Sequence, residues 1–214
     1  MKSLRKQVFY SDLIFHIFKH VYEPAEDTIL AADCLSVNEM ETVLDLGTGC
    51  GILAVVAAKK ARKVVATDLN PHAVRCAKFN AKINHVANKI DISLGDLFQS
   101  IRKNEKFDLI VFNAPYLPSA PIEARSWIGR SWAGGSTGRQ LIDRFIIETP
   151  RYLKRNGKIL LVQSSLANID MTLDKFREMG LETEVIAEKK VAFETIVVIQ
   201  ASHLFKNQIK NYRG

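Results

Sequence analysis

The feature that most limits how this chain can fold is a strand that ends in glycines and restarts at once as a helix. Thr42-Val-Leu-Asp-Leu46 is a short apolar run, Gly47-Thr-Gly-Cys-Gly51 follows without a gap, and Ile52-Leu-Ala-Val-Val-Ala-Ala-Lys-Lys60 resumes with helix formers. Glycines let the backbone turn sharply and approach a ligand closely, and such a turn opens the βα unit of an open α/β sheet. The rest of the chain keeps the alternation. Strands are expected at 63–67, 90–94, 107–112, 157–162, 182–185 and 195–200, with helices at 71–83, 139–154 and 170–179. Asn70 and Pro71 suit the N-cap and first turn of the helix they open. Strands alternating with helices predict a doubly wound α/β fold on a seven-stranded, mostly parallel sheet. The last two strands have no clear helix between them, so they are expected to form an antiparallel hairpin at one edge.

A chain of 214 residues suits one domain with small appendages. The expected division is an N-terminal arm (1–20), a main domain (21–201) and a basic C-terminal tail (202–214). Residues 8–20 are rich in aromatics and read either as an amphipathic helix or as an arm lying on the domain. A further helical run, from Ile29 to Leu35, has Asp27 or Thr28 as its candidate cap. The formal charge of +7 sits at the ends: without Lys2, Arg5, Lys6, Lys206, Lys210 and Arg213, 24 bases face 23 acids. A nearly neutral body argues against a nucleic-acid-binding domain, while basic tails are either solvated ends or weak nucleic-acid contacts. No apolar run reaches the ~18 residues of a membrane helix, and no secretory signal is apparent behind Met1. Cys34, Cys50 and Cys76 match neither a zinc spacing nor a disulfide framework. Reduced thiols and a cytoplasmic location are the expectation.

Three acids fall at three strand ends. Asp45 closes the first strand two residues before Gly47, Asp68 ends the second, and Asp96 follows the third, ahead of Leu97. Ligands of open α/β sheets bind beyond the carboxyl ends of the strands. A dinucleotide fold needs G-x-G-x-x-G, whereas this chain has G-x-G-x-G behind an acid, which repels a pyrophosphate and suits an ammonium-bearing ligand. S-adenosylmethionine carries an ammonium, a sulfonium and a ribose. On this reading Asp45 faces its methionine end, Asp68 its ribose hydroxyls and Asp96 its adenine amino group.

The fourth strand ends in Asn113-Ala114-Pro115-Tyr116. Asparagine offers an amide oxygen, proline pushes Ala114 into an extended backbone with its carbonyl free, and tyrosine supplies a flat ring. Two oxygens and a ring suit a planar NH2-bearing group. Residues 114–138 then form a long loop with Trp127, Trp132, Gly134, Gly135 and Gly138. Loops of that length in a compact domain are usually functional. Here the tryptophans either form a substrate lid or pack the domain.

Taken together, Asp45-x-Gly-x-Gly-x-Gly51, Asp68, Asp96 and Asn113-Ala-Pro-Tyr116 resemble the class I S-adenosylmethionine-dependent methyltransferases of the amino-methylating type, with their Rossmann-like fold. Val21-Tyr-Glu-Pro-Ala-Glu-Asp-Thr28 and Trp132-Ala-Gly-Gly-Ser-Thr-Gly138 narrow the resemblance to the HemK-like branch of archaea and eukaryotes. Those enzymes methylate N5 of the glutamine in the Gly-Gly-Gln motif of a translation release factor, and a small zinc-binding activator subunit pairs with them. The resemblance implies catalytic roles for Asn113, Ala114, Pro115 and Tyr116. It implies cofactor roles for Thr28, Asp45, Gly47, Gly49, Gly51, Asp68, Asp96, Leu97 and Asn113, and no metal. The family usually has proline where this chain has Ala114; the carbonyl is kept. A nucleic-acid amino methyltransferase, acting on adenine N6 or cytosine N4, would use the same tetrapeptide on a flipped base.

Overall fold

The computed structural model describes residues 6–203. Of the basic tail residues, Lys2, Arg5, Lys206, Lys210 and Arg213 lie outside the described residues, while Lys6 pairs with Glu23 at 2.6 Å.

The chain runs β1 (Lys6–Tyr10), β2 (Leu13–Ile17), α1 (Glu26–Asp33), β3 (Thr42–Leu46), α2 (Ile52–Ala58), β4 (Lys63–Asp68), α3 (Pro71–Ile83), β5 (Ile90–Leu94), β6 (Phe107–Asn113), α4 (Trp127–Arg130), α5 (Gln140–Glu148), β7 (Leu153–Ser164), α6 (Ile169–Glu178), β8 (Leu181–Lys190) and β9 (Thr195–His203). Seven strands form one sheet in the order β5-β4-β3-β6-β7-β9-β8. The first five in that order are parallel, and β9 is antiparallel to both its neighbours. The expected α/β architecture, seven strands and edge hairpin are therefore present, with β8 outermost.

Side chains alternate across a strand, so each buried strand feeds two cores. Val43, Val64, Leu109, Val111 and Leu160 pack under α1–α3 on one face. Leu44, Leu46, Ile110, Phe112 and Leu161 pack against Phe145 of α5 and Phe176 of α6 on the other. Both faces being covered is why these strands read as unbroken apolar runs. Edge strand β8 instead carries Glu188, Lys189 and Lys190, charges that discourage edge-to-edge pairing. Starting from β3, the chain builds outward to β5 and then crosses back to β6. The crevice between β3 and β6 is thus the switch point where such folds bind ligands.

Three expectations need correction. Residues 8–20 are not a helix but a hairpin, β1–β2, which lies on the domain as an arm. Leu13, Phe15 and Ile17 are buried and Ile14 and His16 are not, a period of two that the aromatic content obscured. The hairpin is docked by α3: Asn80 exchanges two hydrogen bonds with the backbone of His16, and Asn84 two with Ile14. Four residues of helix rise about 6 Å and two of strand about 6.7 Å, so two side-chain amides imitate a neighbouring strand. The helix expected over 139–154 stops at Glu148, because Pro150 has no N–H and blocks the next turn. Tyr152 then stacks on Phe98, with ring centroids 4.6 Å apart, and β7 begins at Leu153, four residues before the expected start. Finally, Asp27 and Thr28 do not cap α1. Ala25 holds the N-cap without a side-chain bond, and both polar residues sit inside the first turn, buried.

Candidate active site

A cleft of about 240 Å³ opens over the carboxyl ends of β3, β4 and β6, lined by Thr28, Gly47, Gly49, Asp68, Asp96 and Asn113 among others. Leu97, Ala114, Pro115 and Tyr116 also line it. The sequence-derived candidates thus converge on one place, with two exceptions. Asp45 is 1% exposed, and Gly51 is closed off by Ala77, whose Cβ would lie 2.9 Å from any side chain at that position. Both shape the loop from behind.

The glycine loop is built by its neighbours. Gly47, Gly49 and Gly51 all have positive φ (64°, 58° and 88°), which side chains rarely adopt. The N–H of Gly49 donates to Asp68 Oδ2 at 2.8 Å, and that of Asn70 to Oδ1 at 2.8 Å. Asp68 therefore has each oxygen fixed by one backbone donor and a lone pair left on each, the inventory a vicinal diol needs. Burial, the larger influence, pushes its carboxyl above the usual range. Below the loop, Thr48 donates to Asp45 Oδ2 at 2.6 Å, and Asp45 Oδ1 is buried without a partner. Burial, with the nearby Asp68 charge adding to it, raises the Asp45 carboxyl to about 7.

That displacement has a sign that can be tested. A carboxyl protonated up to about 7 when folded but only to about 4 when unfolded holds an extra proton in the folded state between those values. Its contribution to stability is complete below pH about 4 and is lost as pH rises through 7. The ligand-free melting temperature is expected to carry a downward component between pH about 4 and about 7 that Asp45→Asn removes. Equal slopes for the two proteins in thermal melts would refute this.

At the third strand end, Asp96 accepts from Arg144 of α5 at 2.9 Å. Arg144 lines the cleft and was not found in the sequence, where it is one more cation on an amphipathic helix. Leu97 beside it has φ of 49°, an unusual conformation for a non-glycine residue on a cleft wall.

The opposite end of the cleft is a hydrogen-bond network around Asp27. Its carboxylate accepts from the Thr28 N–H (2.6 Å), the Thr28 hydroxyl (3.0 Å), the Tyr116 hydroxyl (3.3 Å) and the Asn113 amide nitrogen (3.1 Å). The Tyr22 hydroxyl approaches both oxygens at 3.4 Å. Asn113 also donates to the Thr28 hydroxyl at 3.1 Å. Asn113 Oδ1 is buried without a partner. Burial, then the Asp27 charge, raises both tyrosine hydroxyls far above their usual range, so both stay protonated donors. Tyr116, expected to lay its ring on a substrate amide, is thus held by its hydroxyl at 8% exposure.

The long loop is tied down rather than loose. Leu117 and Trp132 pair through N–H and carbonyl at 3.0 Å, Gly134 returns a bond to Leu117 at 2.8 Å, and Ser119 donates to Gly135 at 2.9 Å. Gly138 packs so closely that a Cβ would lie 2.3 Å from the Tyr116 carbonyl, which accounts for the glycine. Trp127 and Trp132 both line the cleft, with the Arg130 guanidinium 4.9 Å above the Trp127 ring. Among the described residues, no group of His, Cys, Asp and Glu is placed to hold a metal ion, and no helix is long and apolar enough to cross a membrane.

The family model for ribosomal protein L11 methyltransferase matches residues 27–115. A Methanocaldococcus jannaschii protein, provisionally named as a protein N5-glutamine methyltransferase, is 43% identical over 186 residues, covering 86% of this chain and 92% of its own. The human methyltransferase HEMK2 is 34% identical over 194 residues, 86% of this chain and 90% of its own. Among solved structures, the chain resembles one in the E. cuniculi Mtq2–Trm112 complex, responsible for methylation of the eRF1 translation termination factor. That match has a TM-score of 0.68 and 28% identity, covering 86% of this chain and 99% of the other. The M. jannaschii tRNA m1G37 methyltransferase, at TM-score 0.70 but 19% identity, shares the fold.

Proposed function

The chain belongs to the HemK-like protein N5-glutamine methyltransferases, and from that premise we propose that it methylates the side-chain N5 of a glutamine in the Gly-Gly-Gln motif of a translation release factor, with S-adenosylmethionine as methyl donor. The observation that carries the reading is the orphaned Asn113 Oδ1, a buried acceptor left open at the end of β6. Buried polar oxygens are rarely left unpaired, and an amide N–H is the partner this one suits.

The residues present fit the cofactor. Asp68 keeps a lone pair on each oxygen for the ribose hydroxyls, Asp96 and Leu97 flank the adenine place, and Gly47 and Gly49 leave room for close approach. Thr28 and Asn113 line the end where the two ligands meet. Asp45, behind the loop, sets its shape through Thr48. When bound, S-adenosylmethionine supplies an electrophilic methyl group on a sulfonium.

The rest falls to this chain's own groups. A glutamine amide nitrogen is a weak nucleophile because its lone pair is delocalised into the carbonyl. Asn113 Oδ1 and the Ala114 carbonyl accept its two N–H bonds, which favours a pyramidal nitrogen and directs the lone pair toward the methyl donor. The proton leaves to solvent after transfer. Such alignment supplies up to ~7–11 kcal/mol in well-oriented cases. Pro115, lacking an N–H, and Tyr116, anchored on Asp27, hold the tip rigid.

A small activator subunit belongs to the reading, zinc-binding as the sequence resemblance implies, since the Mtq2 relative was solved with Trm112. A cytoplasmic location fits a release-factor substrate. The test is methyl transfer from labelled cofactor to a purified release factor, and to its Gln→Ala variant in Gly-Gly-Gln, with the activator present. Label on the wild-type factor alone is expected. Label on both factors, or only on nucleic acid assayed in parallel, would refute the reading.

A further inference from the structure

We infer that Asp27 is the positioning residue that sets which end of the Asn113 amide faces the substrate, and hence that it makes the cleft an acceptor of N–H groups. The inference rests on the proposed glutamine chemistry.

An asparagine amide has two nearly isosteric ends, one that accepts and one that donates. At the tip of β6 only one orientation is chemically consistent. A carboxylate is acceptor-only, so the atom of Asn113 lying 3.1 Å from Asp27 Oδ2 must be the nitrogen. The second partner agrees. Thr28 gives its only hydroxyl proton to Asp27 Oδ1 at 3.0 Å, so toward Asn113, 3.1 Å away, it too presents a lone pair. Two acceptors on one side hold both protons of the Asn113 amide, and its oxygen is left without a partner on a residue that lines the cleft. Asp27 cannot easily turn away. The Thr28 N–H holds Oδ1 at 2.6 Å, the Tyr116 hydroxyl holds Oδ2 at 3.3 Å, and the residue is 4% exposed in the first turn of α1.

An isosteric change exposes the device. In Asp27→Asn the Thr28 backbone N–H still demands an oxygen on its side. The introduced NH2 therefore lands where Oδ2 was, facing the Asn113 nitrogen. Tyr116 can rotate its hydroxyl to accept, but two NH2 groups cannot share a bond. Asn113 relieves the clash by turning over, which puts a donor into the cleft where a substrate amide also donates. Exchanging the two residues, Asp27→Asn with Asn113→Asp, removes the conflict. The new carboxylate accepts from the introduced amide with one oxygen and offers the other to the cleft.

The experiment uses the full chain with its activator, steady-state methyl transfer, calorimetry with S-adenosylhomocysteine and thermal melts. Asp27→Asn is expected to lower kcat about a hundredfold, as loss of one preorganised polar contact does. KM, cofactor Kd and melting temperature should stay near wild type. The exchanged double variant is expected to regain at least about tenfold of that loss, an interaction energy that only coupled residues show. Asp27→Asn within about threefold of wild-type activity would overturn the inference. So would cofactor affinity or melting temperature falling in step with activity, or a double variant no better than the single one. Substrate is whichever acceptor the wild type labels, so failure of the glutamine reading appears in the wild-type arm alone.

Discussion

Asn113→Ala abolishes methyl transfer while cofactor binding largely persists. The substitution removes a buried, unpartnered oxygen on a residue that lines the cleft, and the donor that two acceptors, Asp27 and Thr28, share. Losing a single preorganised group of this kind costs on the order of a hundred- to a thousandfold in kcat. The loss should be at the upper end here, because the Ala114 carbonyl alone cannot hold both N–H bonds of an amide. The cofactor lies mainly against Asp68, Asp96 and the glycine loop, so calorimetry with S-adenosylhomocysteine should show a Kd within about tenfold of wild type, that is within about 1.4 kcal/mol. Single-turnover methyl transfer separates the two outcomes. Activity within tenfold of wild type would remove Asn113 from the chemistry.

The second large effect is expected at the other end of the cleft. Asp68→Ala deletes the acceptor for the ribose hydroxyls and also strands the N–H groups of Gly49 and Asn70, bonded to it at 2.8 Å each. A buried unsatisfied donor costs about 1–3 kcal/mol. The glycine loop is therefore loosened as well as stripped of its ligand contact. Cofactor affinity should fall at least about a hundredfold, or about 2.7 kcal/mol, the worth of two lost bonds to a charged group. The melting temperature should drop by several degrees. Asp68→Asn keeps one oxygen, so it should lose affinity while recovering part of the stability. If both variants bound S-adenosylhomocysteine as wild type does, the ribose would have to sit elsewhere.

What could be read before the fold was known, and what could not, follows from how far apart the partners are. Asp68, Asp96 and Asn113 announce themselves because each sits at the end of its own strand, and strand ends are local patterns. Asp27 does not. Its meaning comes from Asn113 and Tyr116, 86 and 89 residues away, and within its own segment it is indistinguishable from a helix cap. Arg144 was hidden for the same reason, since its partner Asp96 lies 48 residues back. The arm at 6–17 is legible as an arm but not as a hairpin, because aromatic residues on both faces mask the period-two burial of Leu13, Phe15 and Ile17. Pro150, by contrast, is a local signal in the sequence, and it ends α5 short of the 139–154 span that the apolar spacing alone predicts. Asp45 shows the limit of position alone: it ends its strand as expected, yet reaches the cleft only through Thr48.

The docking of β2 by Asn80 and Asn84 has a consequence for how the molecule assembles. Ile14 and His16 find their partners 70 and 64 residues further along the chain. A hairpin alone is marginal in water, and closing a span of that length costs entropy that only a formed α3 repays. The N-terminal arm is therefore expected to dock only once α3 has formed. In the native state the N–H groups of Ile14 and His16, on the side of β2 away from β1, are guarded by the Asn84 and Asn80 side chains rather than by a third strand. Exchange at Ile14 and His16 accordingly reports the integrity of α3, a helix whose N-cap, Asn70, is also held by the carboxylate assigned to the cofactor ribose.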